Sequence, residues 1–364
     1  MTTHLIGTRI KALREERKLS QDDLARVFGF KDRQTVSAIE TGERRVSAEE
    51  LLTAIEKLRA PLDYFTNPFL LVGEGRFSWR QSNVAPERLA AFERVAGRWI
   101  AANRTLAPQV GRPASYLRHA LKLTAKSSFE KAMAAGERFA ADFDLGPVPG
   151  KRLADVMERK LGILVLMVDA IEGVSGAACR LPDLDAVLIN RHEATGRRHF
   201  DLAHELFHIL TWHTMPPEHV EEASEYSRIR VEQLANNFAS AVLMPTAVLA
   251  RFGPVKGEII AWLNATADAL QVTATALKWR LVALDRLDLA RAKEIPDAAL
   301  RNNGRADAAG EPPPLFSKPF MEVIALAVTN GQMSARRAAD LLDMTLEDLV
   351  DLCATYGLEA PFHL

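Results

Sequence analysis

The chain has 364 residues, of which 48% are hydrophobic and 26% are charged, and its formal net charge at pH 7 is −1. This composition fits a soluble globular protein of two or three domains, and the near-zero charge means that any nucleic-acid contact must come from a local patch. Two cysteines, Cys179 and Cys353, are too few for a disulfide framework. The N-terminus lacks the apolar core of a signal peptide, and no run is apolar enough to cross a bilayer. We therefore expect a cytoplasmic protein with no membrane partner.

Five short helices are predicted between residues 6 and 65. Three of them have clear start signals, because Ser20, Asp32 and Ser47 are each good N-cap residues ahead of an amphipathic run. The second and third predicted helices, 21–28 and 33–40, are joined by a tight turn inside a bundle. That arrangement is typical of a helix-turn-helix unit.

In a helix-turn-helix, the first residues of the second helix face base edges in the major groove. The candidates for base contact are Arg33, Gln34, Thr35 and Ser37. Arginine suits guanine and glutamine suits adenine, since each can form paired hydrogen bonds with that base. The candidates for phosphate contact are Gln21, Arg44 and Arg45.

This segment resembles the lambda-repressor-like, or Xre, family of DNA-binding domains. The likeness is carried by IKALR at 10–14, LSQDDLA at 19–25 and VSAIETGER at 36–44. The resemblance implies double-stranded DNA as a partner. A helical bundle that binds protein instead is the alternative reading.

The middle of the chain changes from helix-rich sequence to short apolar runs. Helices are expected at 89–102, 128–143 and 153–161. The runs Ile163–Val168 and Ala186–Asn190 are rich in β-forming residues and predict two strands of a small sheet. A helix carrying the string HELFH at 204–208 is expected to follow the sheet.

In the string HELFH, two histidines stand four residues apart with a glutamate between them. On a helix, His204 and His208 share one face and can hold one metal ion, while Glu205 can reach a metal-bound water and act as its general base. A chance string on the surface of an ordinary helix is the competing reading. A third histidine of the extended metzincin pattern would fall at position 214, where the chain has Thr214, and its glycine would fall at Thr211.

The third ligand is therefore sought on the next helix. Glu232 lies there among apolar-periodic residues, with Ala235 and Ala239 small enough to allow a close approach to the first helix. Two histidines and a glutamate form the ligand set of thermolysin-like zinc enzymes, although manganese also accepts such a set. Asn236, one turn further on, is a candidate hydrogen-bond partner for a ligand histidine. A solvent-facing role is the alternative for Glu232.

This block resembles the ImmA/IrrE family of metallo-endopeptidases. The matching strings are RHFDLAHELFHIL at 198–210 and EQLANNFASAVLMP at 232–245. The resemblance implies His204, His208 and Glu232 as metal ligands, Glu205 as catalytic base, and a helix-turn-helix repressor as the type of protein substrate. The chain departs from the family at Phe207, where glycine is frequent, and the larger side chain is expected to narrow the cleft.

No oxyanion-stabilising residue can be chosen from the sequence. The candidates are His199, His213, His219, Tyr226 and Arg230. After a polar, proline-rich linker, Ser334 and Thr345 cap two short helices that look like a second helix-turn-helix-like unit. Because its second helix is acidic, docking or homodimerisation is at least as good a reading as DNA contact.

The predicted fold class is α+β, predominantly α, with a five-helix N-terminal bundle, a central zincin-like domain with a small sheet, and a small C-terminal helical module. The predicted boundaries are 1–68 for the helix-turn-helix domain, 69–138 for a helical connector, 139–290 for the peptidase domain, 291–315 for a linker and 316–364 for the C-terminal module.

The predicted function is a transcriptional regulator whose zinc endopeptidase domain cleaves a repressor in a stress or mobile-element response. The alternative is a regulator whose peptidase-like domain senses a ligand, metal or partner without proteolysis. A third possibility is cleavage of the chain itself between the DNA-binding and catalytic domains.

Overall fold

The computed structural model of the protein describes residues 2–113, 118–217, 225–255, 257–301 and 311–362. These residues form an α+β structure that is mostly helical, which confirms the predicted fold class. None of the helices within these ranges combines the length and apolarity that a membrane crossing requires.

The N-terminal part, called the head below, is a bundle of five helices. They are α1 (Thr2–Glu16), α2 (Gln21–Phe28), α3 (Arg33–Glu40), α4 (Ala48–Lys57) and α5 (Leu62–Thr66). Ser20 and Ser47 each form the predicted reciprocal capping box, and the side chain of Asp32 accepts from the backbone N–H of Thr35. Buried Ile10 and Phe65 belong to the apolar core of this bundle, so the sequence signals and the packing agree.

The rest of the chain begins with a strand. The elements are β1 (Arg76–Gln81), α6 (Pro86–Leu106), α7 (Phe129–Asp142), α8 (Pro149–Arg159), β2 (Ile163–Val168), β3 (Val174–Arg180), β4 (Asp185–Asn190), α9 (Thr195–Thr211), α10 (Glu225–Leu243), α11 (Thr246–Leu249), α12 (Ile259–Leu270), α13 (Ala274–Ala283), α14 (Leu289–Glu294), α15 (Lys318–Thr329), α16 (Ala335–Leu342) and α17 (Leu346–Thr355).

The four strands form one mixed sheet in the order β1-β3-β4-β2, in which β2 and β4 are parallel and the other pairs are antiparallel. The sequence predicted β2 and β4 but neither β1 nor β3. Strand β3 reads VSGAACR, whose small residues have little β-propensity, and β1 lies in a segment predicted to be helical. The predicted connector therefore contributes the edge strand, although the proposed domain boundaries stay predictions.

The sheet is covered on both faces, which is why β2, β3 and β4 are almost continuously buried, whereas the edge strand β1 is only half-buried. Along β2, Ile163 and Val165 pack in the core that includes α8, α9 and α10, whereas Leu164 and Leu166 pack in the core that includes α6 and α15. Alternate residues of β2 therefore pack into cores on opposite faces of the sheet.

The C-terminal helices belong to the second of these layers. The backbone of Phe316 forms a two-way bridge with that of Met167 at 2.6 and 3.3 Å, and Phe316 and Phe320 are fully buried among residues of α6 and the sheet. The apolar face of the predicted docking or dimerisation module thus packs on the chain's own sheet.

The head is followed by a short packed segment, residues 67–75, called the tether below. Fully buried Arg9 of α1 donates hydrogen bonds to the carbonyls of Tyr64, Asn67 and Leu70 at 2.6, 2.6 and 2.8 Å. Gly73 lies so close to Ala12 that an added Cβ would stand 2.9 Å from the alanine methyl. The tether then runs directly into β1.

Candidate functional site

The predicted metal ligands come together where α9 packs against α10. His204 Nε2 lies 3.1 Å from Glu232 Oε2, His208 Nε2 lies 3.4 Å from Glu232 Oε1, and the two imidazole nitrogens are 3.1 Å apart. Within the described ranges, this is the one group of at least three histidine, cysteine or acidic side chains placed to hold a metal ion. Two nitrogen donors and a carboxylate fit Zn²⁺. The side chain of Glu232 is 52% exposed, so solvent reaches the group of three ligands at this residue.

Close packing of the two helices depends on small residues of α10. Ala235 and Ala239 are fully buried, as the approach of α9 to α10 requires. Asn236, on the same helix, has its Oδ1 3.0 Å from His204 Nδ1. With Nδ1–H donating to this oxygen, the imidazole keeps Nε2 free of a proton, which is the form that binds metal.

Glu205 is buried between α9 and β3 with 1% exposure. Among the described residues, neither of its carboxylate oxygens has a hydrogen-bond partner. Burial raises the pKa of Glu205 to about 7, against the opposing charges of His208 and Arg80. Such a group is poised to exchange a proton near neutral pH.

Two of the three ligand side chains favour the form that metal binding needs, whereas burial of His208 is outweighed by its hydrogen bond to Glu232 and by the charge of Glu205, which raise its pKa. Burial, aided by the charge of Arg80, lowers the pKa of His204 to about 4, so this imidazole is neutral at pH 7. Partial burial opposes ionisation of Glu232, but its contacts with His204 and His208 outweigh burial and hold its pKa below the usual range.

Two charged residues beside the site were missed by the sequence analysis. Asp201, one turn before Glu205 on α9, is fully buried and lies 3.2 Å from Arg80 Nε and 3.0 Å from Arg197 Nε. Asp201 stands four residues from both Arg197 and Glu205 on α9, and this helical spacing of charged residues was a usable signal. Arg80 gave no such signal, because its strand stands more than a hundred residues before α9 and was not predicted.

A cleft of about 590 Å³ is lined by Asn236, the partner of His204, but by none of His204, Glu205, His208 and Glu232. Asn236 and Arg80 line it together with Phe200, Arg197 and Trp279. Trp279 is 43% exposed, so the cleft has an apolar wall that solvent reaches. Its size and mixed lining suit a bound peptide segment.

The candidates for oxyanion stabilisation do not gather at the site. His199 Nδ1 bonds the carbonyl of Gln271 at 2.9 Å, and Arg230 donates to the carbonyl of Ser127 while stacking on Phe129. His213 is exposed at the end of α9. His219 and the side chain of Tyr226 lie outside the described residues.

Phe207 does not narrow the cleft, contrary to the expectation from the sequence. It is fully buried in the core, with its ring centroid 5.5 Å from that of Phe238. Its ring centroid also lies 5.9 Å from that of His208, and it does not line the cleft, so its size affects packing around a ligand histidine and not access.

The DNA-contact candidates divide into two groups. Arg33 and Gln34 are exposed at the start of α3, Arg45 is exposed beyond its end, and Thr35 and Ser37 are half-buried. Two phosphate candidates have partners within the head. Gln21 donates to Glu40 at 2.9 Å, and Arg44 forms a two-bond ion pair with Glu50 at 2.7 and 3.1 Å.

Comparison with known proteins assigns two parts of the chain. Residues 10–65 match the helix-turn-helix family profile, and residues 160–282 match a peptidase family profile described as the IrrE N-terminal-like domain. The chain is thus an Xre-type helix-turn-helix domain fused to an ImmA/IrrE-type domain, as the sequence predicted.

Whole-chain comparisons add little. A search of curated proteins finds no match. Among solved structures, the apo form of the competence regulator ComR from Streptococcus vestibularis aligns over 98% of this chain and 100% of its own, at 11% identity and a TM-score of 0.17. A likeness at that TM-score carries no argument about fold or function.

Proposed function

We propose that this fusion is a DNA-binding transcriptional regulator whose ImmA/IrrE-type domain is a zinc-dependent endopeptidase. The supporting observation is Glu205, a buried carboxylate with no hydrogen-bond partner among the described residues, one position from a ligand of the His204, His208 and Glu232 cluster. A purely structural helix has no use for such a group, because an unpartnered buried carboxylate is costly. The substrate we propose is another protein, with a helix-turn-helix repressor of a stress or mobile-element response as the first candidate.

His204, His208 and Glu232 would hold the metal, and Asn236 would fix the imidazole of His204. When bound, zinc supplies Lewis-acid chemistry that lowers the pKa of water and polarises a peptide carbonyl. Glu205 accepts the proton of the attacking water and passes it to the leaving nitrogen. Its pKa of about 7 in the metal-free protein lies where both transfers are feasible at neutral pH.

The test is cleavage of candidate repressors by zinc-loaded protein, followed by intact-mass spectrometry of every chain. We expect wild type to cut and Glu205→Gln to lose at least about a hundredfold in rate, since general-base catalysis contributes that much. Glu294→Gln, which removes an exposed carboxylate far along the chain, is the matched control. The same spectra detect self-cleavage between head and catalytic domain, and metal analysis of protein purified without added metal decides between zinc and manganese.

A non-proteolytic sensor is the second candidate. The near-complete burial of His204 and Glu205, each 1% exposed, favours it, because a buried base and ligand restrict the approach of a polypeptide substrate. Zinc binding that changes DNA affinity without any cleavage, equally in wild type and Glu205→Gln, would establish the sensor and exclude the peptidase.

A further inference from the structure

Strand β1 brings one arginine to the metal site from outside the matched peptidase segment. Arg80 stands directly opposite Gly176 in the antiparallel pair of β1 and β3, so both positions face the same side of the sheet. A Cβ on Gly176 would lie 3.6 Å from Glu205 Cγ. Glycine at 176 therefore lets β3 lie close to Glu205, opposite Arg80 on the neighbouring strand.

The guanidinium of Arg80 is fixed before any substrate arrives. Its Nε lies 3.2 Å from the carboxylate of Asp201, and its charge centre stands 5.8 Å from the ring centroid of Phe200. Among the described residues its NH1 atom, which is itself buried, has no hydrogen-bond partner, while 21% of the whole side chain is exposed and Arg80 lines the cleft. A donor group held in this way costs little reorganisation when an oxygen binds to it.

We propose that Arg80 is a catalytic residue, which donates a hydrogen bond to the carbonyl oxygen of the peptide bond being cleaved. This inference rests on the proposed peptidase function and fills the role that the described candidates His199, His213 and Arg230 do not take.

The reaction is ordinary peptide hydrolysis. The oxygen of water bonds to the carbonyl carbon, the carbonyl oxygen gains negative charge, and Arg80 stabilises that charge. The carbon–nitrogen bond then breaks as Glu205 delivers to nitrogen the proton it took from water. The second water proton leaves the new carboxyl group and is taken up by the amine, so one product ends in a carboxylate and the other begins with an ammonium group.

The experiment compares Arg80→Gln, Arg80→Lys and wild type, each loaded with zinc. We expect Arg80→Gln to lower kcat about 100- to 1000-fold with little change in KM, as removal of one oxyanion donor does elsewhere. Lysine should restore part of the loss, since it keeps the charge. Arg76→Gln, an exposed arginine on the same strand, should match wild type.

A folding defect is separated from a catalytic one by the pair variant Arg80→Gln with Asp201→Asn, which removes both members of the ion pair. It should fold and bind zinc like wild type while keeping the low kcat. An Arg80→Gln kcat within threefold of wild type overturns the proposal. So does a loss that disappears in the pair variant.

Binding of a peptide phosphonamidate, which mimics the tetrahedral anion, gives a readout that needs no turnover. We expect Arg80→Gln to bind it at least about tenfold more weakly than wild type, with zinc content unchanged. If wild type cleaves nothing yet shows this dependence on Arg80, the peptidase function fails while the oxygen-binding role of Arg80 survives. Equal phosphonamidate affinities would overturn that role.

Discussion

The head and the metal site use polar residues in opposite ways. In the head, the side chains of Ser20, Asp32 and Ser47 each accept from a backbone N–H three residues away, and they stay in contact with solvent. At the site, Asp201 and Glu205 are buried. Arg80, which pairs with Asp201, lies on β1, more than a hundred residues earlier in the chain. The head is thus specified locally, whereas the site exists only after distant segments have assembled.

The largest expected difference between the two regions is in the stability lost on substitution, and Asp201 should show the greater loss. Asp201→Ala leaves the guanidinium of Arg80 without its buried partner and should lower the free energy of unfolding by about 3–5 kcal/mol. Ser47→Ala in the head removes one cap and should cost about 1 kcal/mol. Urea denaturation of both variants measures the difference, and equal losses would contradict the contrast.

The next largest effect is expected in zinc affinity. Asn236→Ala removes the oxygen that orients His204 and should weaken zinc binding about 10- to 100-fold without unfolding the protein. Competition with a chromophoric chelator reports the affinity. Asn237→Ala is the neighbouring control, since the side-chain amide of Asn237 bonds only the carbonyl of Gln233 among the contacts described. A similar loss in both variants would mean that α10 is merely disturbed.

Substitutions in the head are expected to change DNA binding. Gln34→Ala should cost about 1–3 kcal/mol of operator affinity and relax selectivity at one base pair, because Gln34 is exposed at the start of α3. Arg45→Ala should weaken binding to all sequences alike and reduce its salt dependence. Fluorescence anisotropy at several salt concentrations separates these behaviours, and an unchanged sequence preference in Gln34→Ala would remove that residue from the base-reading set.

The smallest expected effect is a pH dependence outside both regions. Burial raises the pKa of Glu158 to about 7, while its bond of 2.6 Å to Ser317 partly opposes the rise. A raised pKa means that stability is complete below the unfolded value near 4.5 and declines as pH rises through about 7. Glu158→Gln should remove roughly 1 kcal/mol of this decline after allowance for screening. Thermal unfolding of metal-free protein at pH 5 and pH 8 measures it, and parallel curves for both proteins would refute the assignment.

The features that the sequence predicted correctly are specified locally, whereas the features that it missed depend on distant segments. The caps and the helical period located α2 to α4 correctly, and HELFH with Glu232 gave the metal cluster, because each signal lies within one helix or at a familiar spacing. Strand β3, made of small residues, and Arg80 had no local signature. Their positions depend on the pairing of β1 with β3, which no short window of sequence encodes.

The tether has a consequence for how such proteins recombine. Since Arg9 binds the carbonyls of Tyr64, Asn67 and Leu70, a new head would need to bring its own chain as far as Leu70. The next element that must stay intact is strand β1, which begins at Arg76 and carries Arg80 of the candidate site. Only the few residues between these two points are available as a crossover, so exchange of DNA specificity in this architecture is confined to a narrow stretch of the gene.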